Sequence, residues 1–151
     1  MPTINPAKAI FVAGLTCGVL DISAALVVYG LLGSKPLRLL QGIAGGILGP
    51  RTYSGGISTA LFGLALHFVI AFGAAAIFFL ASRVMPFLLT HAALSGVFYG
   101  IAVYFFMNRV VVQLSAATKF PFSIRMMVIG VIIHIFCVGI PISFNIRRYA
   151  R

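Results

Sequence analysis

Glutamate is absent from the sequence, and Asp21 is the single acidic side chain in 151 residues. Enzymes that divide acid and base work between paired carboxylates are therefore excluded for this chain acting alone. Cysteine is nearly as scarce. Cys17 and Cys137 fall in separate apolar runs with no C-x-x-C spacing, which excludes a disulfide framework and a cysteine zinc site and leaves two small packing residues. Charged residues make up only 8% of the chain, against about a quarter in an ordinary soluble domain. Apolar residues take their place: 62% of the chain is hydrophobic and the mean hydropathy is +1.15. Water is not the main solvent of such a chain, so an integral membrane protein is expected.

Apolar runs long enough to cross a hydrocarbon core, roughly 20 residues each, occur at about 9–32, 58–82, 87–107 and 124–146. The first follows Asn5-Pro6, an N-cap with proline at the first helical position. Its length, its central aspartate and the lack of a cleavage pattern predict a retained anchor rather than a signal peptide. Between the first two runs lies PLRLLQGIAGGILGP, 36–50, too short to cross and too apolar for an ordinary loop. An interfacial or re-entrant segment fits both properties. Its glycines match neither G-x-G-x-x-G nor Walker spacing, so close packing or headgroup contact is expected there rather than nucleotide binding. The expected fold is all-α: one integral membrane domain, 1–151, built as an up-down bundle of four transmembrane helices with both termini on one side.

The net charge of +10 would suggest nucleic acid in a soluble protein. Here the basic residues lie at the ends of apolar runs, where long side chains snorkel to phospholipid headgroups. The lipid bilayer is the expected partner, through Arg38, Arg51, Arg83, Arg109, Arg147 and Arg148, and nucleic acid is not. Five basic residues fall on the terminal side (Lys8, Arg83, Arg147, Arg148, Arg151) and six on the other (Lys35, Arg38, Arg51, Arg109, Lys119, Arg125). The positive-inside rule gives little direction from so even a split; the compact basic tail favours cytoplasmic termini.

The few polar groups inside the runs fall on faces of small residues. Gly14, Cys17, Gly18, Asp21 and Ala25 share one helical face, as do Thr59, Gly63, His67, Ala71 and Ala75, and so do Gly130, His134, Cys137 and Pro141. Such faces let helix backbones approach, within one chain or between chains, so these side chains point at another helix rather than at lipid. In the third run His91, Ser95 and Tyr99 form a secondary polar stripe beside Gly96 and Gly100. Counted by helical rise, Asp21, His67 and His134 lie roughly 14 to 17 Å from the side of the long connections, near mid-bilayer, with Tyr99 at similar depth. They form the candidate buried cluster. Gly63-x-x-x-His67 and Gly130-x-x-x-His134 also hint at a two-plus-two repeat.

An ionisable residue at that depth costs about 2.5–3.5 kcal/mol on insertion scales and is a functional candidate by default. The plainest reading is structural: Asp21, protonated and hydrogen-bonded to a histidine or tyrosine, joins helices in a structural or accessory subunit of a homo-oligomer or larger membrane complex. A second reading makes Asp21, His67 and His134 a proton relay in a small proton- or ion-coupled transporter or channel-like protein. A third makes His67 and His134 the axial ligands of a haem. No metal-ligand spacing is present, and neither an enzyme nor another cofactor is expected.

GLTCGVLDISAALVVYGLL, GLALHFVIAFGAAAIFFLASR, GVFYGIAVYFFMNRVVVQLS and HIFCVGIPIS, together most of the chain, resemble the small bacterial inner-membrane proteins described as YagU-like. The resemblance implies a multi-pass protein of the bacterial inner membrane with no settled activity. It assigns no catalytic residue.

Overall fold

The structure, a computed structural model, describes residues 5–149, so Arg151 of the basic tail lies outside the described residues. All regular structure among them is helical: α1 (Pro6–Leu31), α2 (Pro36–Leu48), a 3-10 turn (Gly49–Ser54), α3 (Gly56–Val84), α4 (Phe87–Thr90), α5 (Ala92–Leu114) and α6 (Ile124–Tyr149). Four of these, α1, α3, α5 and α6, are long and apolar enough to cross a membrane, which makes the chain by length and composition a multi-pass membrane protein.

Local chemistry sets the ends. The Asn5 side chain accepts the Lys8 N–H at 3.0 Å and Pro6 opens α1. Gly33, at φ 95°, takes the left-handed turn that ends it, with the Ser34 N–H donating back to Tyr29 O at 2.8 Å. Pro36 then restarts the chain as α2, and Ser123 caps α6 by accepting from the Met126 N–H. The third apolar run is not one helix from residue 87. Thr90 Oγ1 donates to Phe87 O, and His91 leaves helical geometry at φ −108°, ψ 46°, so α4 is a separate turn and α5 continues instead to Leu114. Two π-helical turns, Met107–Val111 in α5 and His134–Gly139 in α6, interrupt the α-helical ladder.

α1 packs against both α3 and α6, α5 packs against α6, and α2 lies along α3. Small residues set how closely each pair meets. A Cβ at Gly139 of α6 would collide with the backbone of Gly96 and Gly100 in α5, so that pair meets backbone to backbone. At Gly63 of α3 a Cβ would strike Leu40 O of α2. Gly14 and Gly18 of α1 instead receive the rings of Phe72 and Phe68 from α3. A buried polar lock fixes α2. Gln41 Nε2 donates to Gly56 O at 3.0 Å, Thr52 Oγ1 to Gln41 O at 2.8 Å, and Thr59 Oγ1 to Thr52 O at 2.6 Å.

The core lies where α1 begins and α3 and α6 end. Ala9, Ala13 and Cys17 of α1 pack there with Ala75 and Phe78 of α3, Leu89 of α4, and Val138, Ile142 and Ile146 of α6. At the opposite end α1 and α5 part from the start of α6, while α2 stays close-packed on α3.

Candidate functional site

His67 ties α3 to α1 twice. Its Nε2 lies 2.8 Å from Gly18 O, and its Nδ1 lies 4.0 Å from Asp21 Oδ2, with side chains 12% and 17% exposed respectively. The approach is open because Gly18 has no side chain and Asp21 follows one turn later on the same face. A carbonyl can only accept, so Nε2 carries the hydrogen and a neutral ring presents a lone pair from Nδ1. An ionised Asp21 facing a neutral His67 would then oppose two acceptors. The contact is attractive when the pair holds one further proton, either as Asp21–OH beside neutral His67 or as carboxylate beside imidazolium. At 4.0 Å it is an electrostatic contact and not a hydrogen bond.

His134 and Tyr99 have other partners. His134 Nδ1 donates to Gly130 O of its own helix at 2.9 Å, and its ring meets Tyr104 of α5 edge-to-face at 5.4 Å. The Tyr99 hydroxyl donates to Ala74 O at 2.6 Å, joining α5 to α3 while its ring packs on Phe78. No hydrogen bond or ion pair among the described residues links either to Asp21 or His67, so the structure brings two of the four candidate residues together. His91 sits exposed at the α4–α5 break, with Nδ1 3.0 Å from Thr90 Oγ1, whereas Ser95 is buried on α5.

The histidines bear directly on metal and haem binding. Among the described residues no three His, Cys, Asp or Glu side chains are grouped to hold a metal ion. Both nitrogens of His67 are engaged, so an axial bond to a haem iron would require breaking its contact with Gly18 or with Asp21.

The arginines named for headgroup contact lie at the helix ends. Arg38 stacks over Tyr53, Arg109 over Phe122 and Arg148 over Tyr149; Arg51 and Arg83 are exposed and Arg147 half-buried.

A cavity of about 620 Å³ opens where α1 and α5 end and α6 begins. Tyr29, Tyr104, Asn108, Arg109, Lys119 and His134 are among its polar lining residues. Apart from His134, Arg109 and Lys119, these residues were not singled out from the sequence. The i, i+4 series Gly100, Tyr104, Asn108 carried a signal, because it continues the α5 packing face beyond its glycines.

No family model, curated protein or solved structure matches the chain.

Proposed function

We propose that this chain is a structural or accessory subunit of a membrane assembly. It forms an up-down four-helix bundle in the bacterial inner membrane, of the YagU-like type, with cytoplasmic termini and with α2 and its 3-10 turn as an interfacial or re-entrant segment. The observation that carries this reading is how the polar groups of the spans are used. His67 holds α1 through Gly18 and Asp21, and Tyr99 holds α3 through Ala74, each linking neighbouring helices. Such bonds position helices where lipid supplies no hydrophobic force between them. The bilayer and further membrane subunits, identical or not, are the partners; nucleic acid is not.

Extraction of native membranes into polymer-bounded discs, followed by mass measurement, tests this directly. Particles holding an assembly well above one 16.1 kDa chain are expected, and discs holding single chains alone would overturn it.

A proton-coupled reading has one observation in its favour. The Asp21–His67 contact is attractive when it holds one further proton, and both side chains are partly exposed. In proteoliposomes under a pH gradient, equal proton flux from the parent chain and Asp21→Asn supports the structural role. Flux present in the parent and lost in the variant would instead establish the proton-coupled one.

A further inference from the structure

We propose that the cavity between the ends of α1 and α5 and the start of α6 binds a phosphate-bearing anion, the headgroup of an anionic phospholipid, with Arg109 as its charge partner. Three observations converge on it.

The first is charge without an internal counterion. Arg109 and Lys119 both line the cavity, and the only acidic side chain of the sequence, Asp21, faces His67. The Arg109 guanidinium lies over the Phe122 ring at 5.4 Å and pairs with no carboxylate among the described residues. Among the described residues the Lys119 ammonium has only a long 3.5 Å contact to Ser115 O. A guanidinium offers a planar set of donors suited to the paired oxygens of a phosphate.

The second is a set of uncommitted donors around that charge. The hydroxyls of Tyr29 and Tyr104 make no hydrogen bond among the described residues, and both line the cavity. His134 commits its Nδ1–H to Gly130 O, so its neutral ring presents Nε2 as an acceptor and the donors here are the two tyrosine hydroxyls. At about 620 Å³ the space falls within the usual range for small-molecule sites, roughly 300–1,000 Å³.

The third is backbone shape. Asn108 and Arg109 sit in the π-helical turn of α5 and His134 opens that of α6, so both π-helical turns among the described residues border this cavity. Such turns re-aim the side chains around them and concentrate at functional sites. The connector that closes one side is anchored to α2, where the Ala116 N–H donates to Gly46 O at 3.0 Å.

Apolar side chains favour a lipid as the source of the phosphate. Phe105, Phe120, Phe122 and Met126 line the same cavity and are exposed, which gives acyl chains an apolar surface beside the basic side chains.

The site depends on the chain's location in a membrane and is independent of the Asp21–His67 contact. The test is native mass spectrometry of the full chain in neutral detergent, offered phosphatidylglycerol, phosphatidylcholine or inorganic phosphate. Preferential retention of phosphatidylglycerol is expected, about tenfold weaker in Arg109→Gln. Retention should be unchanged in Asp21→Asn, which lies outside the cavity. Tyr104→Phe, which keeps the ring, should weaken retention several-fold and serves if Arg109→Gln disturbs the fold. Displacement of the lipid by millimolar inorganic phosphate would support the same anion chemistry with a soluble source. Equal retention of the two lipids, unaffected by Arg109→Gln and Tyr104→Phe, would overturn the proposal.

Discussion

The two ends of this helical protein are built from the same spans and pack differently. Where α1 begins and α3 and α6 end, alanines and glycines let the helices close on buried Phe78, Ile142 and Ile146. Past Asp21 and His67 the facing residues become Tyr29 on α1, Tyr104 and Asn108 on α5, and His134 on α6, and a cavity opens between them. Small residues close an interface because dispersion forces fall off steeply with distance, and within lipid they supply much of the association energy. Larger polar side chains keep helices apart and leave donors unmatched. The closed end is suited to holding the fold, and the open end to holding a ligand.

The same substitution at the two ends would test that contrast most sharply. Gly139→Ala places a methyl group against the backbone of Gly96 and Gly100, which cannot turn aside as a side chain can. A loss of about 3 kcal/mol or more is expected, read as unfolding at lower denaturant in mixed micelles. A Gly139→Ala variant as stable as the parent would mean that α5 and α6 do not cross backbone to backbone.

At the boundary between the ends the expected effect is smaller. Removing one intramembrane contact costs about 0.6 kcal/mol on average and up to about 1.7. His67→Ala should lie toward the upper figure because it removes both the Gly18 and the Asp21 contacts, and Asp21→Asn toward the lower. The same unfolding assay ranks them, and an Asp21→Asn loss exceeding that of His67→Ala would show that Asp21 has a stronger partner elsewhere.

Smallest of all is Gly130→Ala at the open end. The added methyl meets the ring of Tyr104, which lines the cavity and has room to move, while alanine gains about 1 kcal/mol of helix propensity over glycine. The net change should lie within about 1 kcal/mol of zero. A loss matching that of Gly139→Ala would mean that the open end is as tightly packed as the closed one.

Much of the architecture could be read along the chain because it depends on local properties. Hydrophobic length marks a span, and Asn5-Pro6 marks a helix start. The break at His91 was not legible that way, since the residues around it are as apolar as a span requires. The candidate site was half legible. Shared depth named Asp21, His67, His134 and Tyr99 together, but depth fixes one coordinate and says nothing of the rotation of each helix about its axis.

That rotation is what the tertiary structure decided. The sequence alone determined that this is an all-helical chain with four helices apolar enough to cross a bilayer, because transfer into lipid depends on summed composition over about 20 residues. It also determined that whatever those helices bury includes a single carboxylate. Whether the glycine faces meet within one chain, whether His67 or His134 turns toward Asp21, and where the helices part to form a cavity all depend on contacts between residues distant in sequence. Gly139 against Gly96 and Gly100, and His67 against Gly18, are fixed only when every helix has found its neighbours.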